Sequence, residues 1–391
     1  MMIMKVKVTL LLLLASSGLS FAQLKDFDIN GYVKYLFSSS KYPFALERYN
    51  DHLIHARLNT GWYPTENFKA IMQMRLRGYY GQTVENTPDF LDEIKGKYDF
   101  LNLDAELWKG KSTVGLAEID RLYLDWNYKK LQLTLGRQRI AWGTSWVWNP
   151  IDIFNPLSVL DFDYEERPAV DAMMAQYYTG PVSKVELALK PAKSSNDVIA
   201  AGLLSVNFWD YDFNFIGGKK GGKWFTGAGW AGDISGAGFR GEVLLSQGRK
   251  LSLPSGMGYF GSDGAVYSFV LSGDYTFPNS FYIHTELLHN STGVSSLTAL
   301  YQQASQSLGM LTAARWSLYQ EFAYDFHPLV RGSVFGLFNP DDRSRVVVPS
   351  VSYSAAENLD LMLLVMFFEG STTTEFGSYG STAFFRLKYS F

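Results

Sequence analysis

Ser381-Thr-Ala-Phe-Phe-Arg-Leu-Lys-Tyr-Ser-Phe391 alternates in character from one residue to the next. Ala383, Phe385, Leu387, Tyr389 and Phe391 form one apolar set. Thr382, Arg386, Lys388 and Ser390 form the other, with Phe384 the one intruder. Successive side chains of a strand point to opposite faces, so one face of this segment meets an apolar medium and the other a polar one. A soluble sandwich also contains such strands, and the rest of the chain has to separate the two cases.

The first 22 residues carry Lys5 and Lys7, an apolar run over residues 8–14, and Ser20-Phe21-Ala22 ahead of Gln23. A basic start, a short apolar stretch and a small-x-small site predict a signal peptide at 1–22. A spanning helix needs about 20 apolar residues, and this run is broken by Ser16, Ser17 and Gly18. The mature domain is therefore expected to span 23–391. The composition fits export, since there is no cysteine for a disulfide or a thiolate metal site. Without Lys5 and Lys7, 33 basic residues face 38 acidic ones, which gives no reason to expect a nucleic-acid partner. The longest apolar run after residue 22 is LMLLVMFF at 361–368, too short for a helical span.

Turn chemistry recurs at 63–67, 127–130, 179–183, 209–212, 235–238, 277–280, 327–328 and 357–360. Between these lie longer links near 39–50, 81–114, 141–168, 192–198, 247–264, 292–310, 338–344 and 370–380. Segments of ten to thirteen residues joined alternately by tight turns and long loops predict a transmembrane antiparallel up-and-down β-barrel. The count is 18 strands, or 16 if GGKKGG at 217–222 is one loop. Aromatics gather near the tight turns, among them Trp62, Tyr63, Trp126, Tyr128, Phe277 and Phe326, as an interfacial girdle requires. The run at 361–368 is apolar on both faces, and either an inward-folded loop or a subunit contact would cover it.

On the strand at 68–80, Lys69, Gln73, Arg75 and Arg77 oppose Met72, Met74, Leu76 and Tyr80. An arginine on the lipid face near mid-bilayer costs about 2–4 kcal/mol, so Lys69, Arg75 and Arg77 are expected to form a basic, pore-lining wall. Such a wall attracts anions, or merely pairs with carboxylates. With the next hairpin centred between Tyr128 and Lys129, Glu118 would face Arg139 and Asp120 would face Arg137, as ion pairs bracing the rim. Leu131, Leu133 and Leu135 share parity with those arginines, so either Gly136 switches the face or the ions lie above the apolar band.

The link at 142–167 holds Trp142, Trp146, Trp148 and the acidic group Asp161, Asp163, Glu165 and Glu166. A connection of this length is expected to fold inward as a constriction opposite the basic wall, or to lie over the mouth as a lid. Trp146 and Trp148 would otherwise offer flat faces to sugar rings.

The run Gly136-Arg-Gln-Arg-Ile-Ala-Trp-Gly143 resembles the GRQ…WG pattern of a porin-like outer-membrane β-barrel family. That grouping is distantly similar to alginate-export and phosphate-selective porin-like barrels. The strand ending at Phe391 likewise resembles the terminal signal that the barrel-assembly machinery reads in Gram-negative outer membranes. The resemblance implies a passive channel for small hydrophilic solutes or ions, set in outer-membrane lipid, without a cofactor. It also implies a homotrimer as one expected assembly. A saccharide or polysaccharide conduit is the alternative, and a barrel enzyme a weaker one. Enzyme signatures are sparse: Ser291 beside His289 is the local nucleophile–base candidate, and His284 shares a face with Glu286. His52 and His55 fall on opposite faces of a strand, which argues against a metal pair. GGKKGGK at 217–223 lacks the Ser or Thr of a nucleotide cradle and is expected to be a flexible basic loop.

Overall fold

The computed structural model describes residues 26–43, 45–95, 100–155, 168–253 and 258–391. The signal peptide expected at 1–22, and Asp161, Asp163, Glu165 and Glu166, lie outside these residues.

Strands pair with their chain neighbours in antiparallel order: β1 (Phe27–Lys41), β2 (Tyr49–Thr65), β3 (Phe68–Gly81), β5 (Thr113–Tyr128), β6 (Leu131–Gln138) and β7 (Val170–Tyr178). The series continues through β8 (Lys184–Lys190), β9 (Ile199–Phe208), β10 (Tyr211–Lys220), β11 (Lys223–Ile234), β12 (Ala237–Gln247) and β15 (Ala265–Thr276). It ends with β16 (Phe281–Asn290), β17 (Trp316–His327), β18 (Val330–Phe338), β19 (Arg345–Ala356), β20 (Leu359–Glu369) and β21 (Ser381–Ser390). β21 pairs back onto β1, and Gly31 and Phe391 exchange backbone hydrogen bonds of 3.0 and 2.9 Å. The result is a closed 18-stranded antiparallel barrel, which leaves no edge to be satisfied. β4 (Asp104–Lys109) adds to β5 above the end of β6, and β13 (Lys250–Ser252) and β14 (Tyr259–Gly261) form a separate small hairpin. Among the described residues no helix is long and apolar enough to cross a membrane.

Polarity is inverted relative to a soluble protein. Leu133, Leu135, Leu187, Phe215, Leu363 and Phe367 are exposed on the outside, whereas Lys34, Arg57, Arg137, Glu118, Glu242 and Glu286 are buried within. An outer surface of that kind is stable against lipid, not water. Trp62, Trp126, Tyr128, Trp209, Phe277 and Phe326 are exposed near the tight-turn end, where amphipathic rings favour the bilayer interface.

The expected turns all join strands. GGKKGG at 217–222 is a hairpin and not a loop: β10 runs through Lys220, and Gly221 and Gly222, at φ 56° and 80°, make the two-residue turn into β11. Two successive positive φ angles match the twist of the flanking strands, which fixes the count at 18. At 361–368 the inward half, Leu364 and Met366, packs with Trp148 and Phe376, while Leu363 and Phe367 face outward. An inward-folded loop therefore covers one face of that strand.

Candidate functional site

The register of β1, β2 and β3 places Lys34 opposite His55, His55 opposite Arg77, and Arg57 opposite Arg75. Lys34 also lies opposite Lys388 on β21. Like charges directly across a pair are unfavourable, so such a register demands counter-ions. β5 supplies two. Glu118 accepts from Arg75 at 2.9 Å and Arg77 at 2.8 Å, and Asp120 lies 2.8 Å from Arg57 and 3.4 Å from Arg75. These are buried, charge-assisted contacts, in which an arginine fork holds its geometry better than a lysine would. Together with Arg386, six cations line this wall against Glu118 and Asp120, with Asp360 opposite Lys388. Tyr32 braces the group, with Lys388 Nζ 4.7 Å and Lys34 Nζ 5.5 Å from its ring centre.

Arg75 and Arg77 thus share the inner face with Arg386 and Lys388, which alternation placed on the polar face of the last strand, and with Arg57 and Lys34, which the sequence reading did not single out. Arg57 and His55 share strand parity, a signal that was legible. Lys69 lies away from this group, toward the tight turn at 65–68, with Asp125 Oδ1 at 3.8 Å.

The ion pairs expected across β5 and β6 are corrected. The hairpin turn is Lys129–Lys130, with Tyr128 opposite Leu131, so Arg137 lies opposite Leu122 and not Asp120. Lys129 takes φ 54°, a turn conformation that its residue type did not announce. Glu118 and Asp120 pair instead with the β2 and β3 arginines. Arg137 pairs with Asp171 on β7 at 2.9 Å and donates to the Ile119 and Leu101 carbonyls. Arg139 follows the end of β6 and is exposed. Gly136 is where alternation fails: at φ 122° it lies 2.3 Å, measured from an added Cβ, from the Leu122 carbonyl oxygen. No other residue fits there easily, and the twist carries Arg137 to the inner face while Leu133 and Leu135 stay outside.

From the end of β6 the chain turns into the barrel. Ile140, Trp142, Ile151 and Phe154 pack against Ala188, Ile199, Leu203, Ile216 and Phe225 of β8 to β11. Trp148 packs against Val270, Leu288, Leu337, Val346 and Val348 of β15 to β19. Three wall carboxylates capture the segment between. Glu242 on β12 accepts from the backbone N–H groups of Thr144, Ser145 and Ile151 at 2.5, 2.8 and 3.1 Å. Glu286 on β16 accepts from those of Trp146, Val147 and Trp148 at 3.3, 3.3 and 2.6 Å. Glu186 on β8 accepts from Trp142 Nε1 at 2.6 Å. Residues 140–155 therefore form a strap across the inside of the barrel. Counting round the ring, β12 is the ninth strand after β2, so the Glu242 anchor stands opposite Arg57.

Of the three tryptophans, Trp142 and Trp148 are 2% and 4% exposed, and Trp146 is 57% exposed. Two of the three flat faces are therefore covered by protein. Arg240 lies 4.5 Å from the Trp146 ring centre and pairs with Asp274 at 3.0 Å. A second connection, 82–94, also turns inward: Val84 and Leu91 pack on Val114 and Leu116, and Arg77 donates to the Ile94 carbonyl at 2.9 Å.

The remaining candidates separate. His52 faces outward and its Nδ1 meets Tyr35 Oη at 2.7 Å, while His55 is buried inside. Ser291 Oγ accepts from the Tyr267 amide, and His289 packs against Trp316 and Tyr267. His284 and Glu286 do come together at 3.5 Å, with Ser272 Oγ 3.0 Å from His284 Nε2. That serine is buried, and Glu286 is already engaged by the strap.

No protein-family model and no curated protein matches the chain. Solved structures of outer-membrane porins do match in fold. Acinetobacter baumannii OccAB4 superposes with a TM-score of 0.56 at 9% identity, covering 94% of this chain and 99% of that one. Acinetobacter baumannii OccAB2 gives 0.55 at 9% identity, covering 94% and 98%. Pseudomonas aeruginosa OccK11 (OpdR) gives 0.54 at 10% identity, covering 93% and 96%. At such identities the likeness is one of architecture, and it spans the barrel from end to end: this chain has the fold of the outer-membrane porins.

Proposed function

We propose that this chain is an outer-membrane channel through which small hydrophilic solutes diffuse passively, with anions preferred. The observation that carries the reading is the opposition of two inner surfaces. On one side is the strap, held by Glu186, Glu242 and Glu286. On the other is the wall of Lys34, Arg57, Arg75, Arg77, Arg386 and Lys388. The strap narrows the passage and the wall sets the sign of the field inside it, the two controls a passive channel has. Residues 1–22 would be removed on export, and 23–391 would enter the outer membrane of a Gram-negative cell through its assembly machinery. A homotrimer is the assembly proposed.

Planar-bilayer recording of the folded protein tests this. Stable conductance steps with a reversal potential on the anion side are expected in a salt gradient. A folded barrel that gives no steps, or a cation-side potential, would reject the reading.

A further inference from the structure

Three connections at the long-loop end, 290–316, 338–345 and 369–381, meet at one buried carboxylate. Glu375 Oε1 accepts from Thr312 Oγ1 of the first, and its Oε2 accepts from Asn339 Nδ2 of the second at 2.9 Å. The Glu375 N–H donates to Asp342 Oδ2 at 2.8 Å, and the same oxygen accepts from Thr298 Oγ1 at 2.9 Å, at the start of the helix Thr298–Ser307. The next residue, Phe376, is buried in one cluster with Trp148 of the strap. Glu375 thus joins the mouth loops to each other, one residue away from the contact that joins them to the constriction.

We infer that Glu375 is a proton-sensitive clasp, holding 370–380 down on the strap when neutral and releasing it when ionised. The inference rests on the channel reading for its consequence, but not for its chemistry. The hydrogen bonds that Glu375 accepts from Thr312 and Asn339 favour its ionised form, and burial and Asp342 outweigh them in favour of the neutral one. Ionised, it becomes a buried anion close to Asp342, and the two carboxylates repel. Few other charges face it. The helix Thr298–Ser307 has none, and Arg315 is the one charged residue of 290–316; 338–345 carries Asp341, Arg343 and Arg345 beside Asp342, and 369–381 carries Glu369, paired with Arg345, and Tyr379. Burial pushes the Glu375 carboxyl from 4.5 up to about 7, and Asp342 adds to the shift. The sign follows: a carboxyl with a raised pKa in the clasped state favours that state in acid, and the preference is lost as pH rises through about 7. With the released group at its ordinary value, the clasped-to-released ratio falls about 30-fold between pH 5.5 and 8.5.

Two measurements on the same folded protein test this. Single-channel recording should show long closures or a lower conductance at pH 5.5 that are relieved at pH 8.5. Glu375→Gln, which keeps an acceptor and a donor but cannot ionise, should behave as the acid form at both. Hydrogen exchange of the amides at 374–376, corrected for intrinsic rate, should show protection at pH 5.5 that falls at pH 8.5 in the wild type and persists in the variant. If exchange changes as expected in a barrel that never conducts, the clasp stands and the channel reading fails. Exchange that is independent of pH, or that titrates alike in both proteins, overturns the clasp.

Discussion

Replacing Glu242 by alanine removes the acceptor shared by three strap N–H groups, those of Thr144, Ser145 and Ile151. A buried donor left unsatisfied costs about 1–3 kcal/mol, so the local loss is roughly 3–9 kcal/mol. Burial of Ile140, Trp142, Ile151 and Phe154 opposes release, at about 1.5–3 kcal/mol each, or roughly 6–12 kcal/mol. A single substitution is thus comparable with what remains and does not exceed it. The strap should stay inside but fluctuate, seen as current noise on an unchanged mean conductance. Glu242→Ala with Glu286→Ala deprives six N–H groups, a loss of roughly 6–18 kcal/mol, which reaches or exceeds the apolar anchoring. That double variant should conduct in larger steps, recorded in a planar bilayer after heat-modifiable gel migration shows a folded barrel. A folded double variant with unchanged step size would refute the idea that these carboxylates hold a constriction.

Arg75→Gln with Arg77→Gln, which also unburdens Glu118, should move the reversal potential in a salt gradient toward the cation side; no movement would place selectivity elsewhere. Arg137→Ala breaks a buried pair with Asp171, a loss of about 3–5 kcal/mol that should lower the temperature of heat-modifiable migration. Arg137→Lys should recover little, because one ammonium cannot meet Asp171 and two carbonyls in the guanidinium geometry. Gly229→Val puts a side chain where an added Cβ already lies 2.8 Å from Thr144 Oγ1 and 2.9 Å from Ile151 Cδ1. It should displace the strap and change conductance while leaving the barrel folded, and an unchanged conductance would count against strap–wall contact.

The barrel was legible because its signals are local. Alternation within a strand and turn chemistry between strands each need only a few residues, and the eight expected turns all join strands. The misreadings arose where backbone geometry overrode residue type. Lys129 and Lys130 make a two-residue turn without the Asn or Gly that usually marks one, which moved the hairpin register and with it the partners of Glu118 and Asp120. Gly136 carries Arg137 inward by its positive φ, a switch that the parity conflict at Leu131, Leu133 and Leu135 did signal. The anchors were beyond reach. Glu242 and Glu286 look like ordinary inward carboxylates, and their partners are backbone amides 91–98 and 138–140 residues away. A side chain's type carries no information about which distant backbone it will meet.

The anchors and the strap solve each other's problem. A segment crossing the inside of a barrel has no neighbouring strand for its N–H groups, and a carboxylate facing a packed interior has lost its water. Glu242 with three backbone donors and the Thr144 hydroxyl, and Glu286 with three more, satisfy both at once. Both carboxyl groups are thereby turned toward backbone amides and away from the open lumen. The opposite wall is different in kind: its cations outnumber Glu118 and Asp120, and each carboxylate there is shared between two arginines. Acidic side chains on one wall therefore do not cancel basic ones on the other. On the proposed channel function they serve the position of the strap, and the sign of the field would fall to the arginine wall. It follows that Glu242→Gln, which keeps one acceptor oxygen and most of the volume, should alter step size or noise far more than it alters the reversal potential. If the potential moved instead, with step size and noise unchanged, the anchors would be acting as charges and not as clamps.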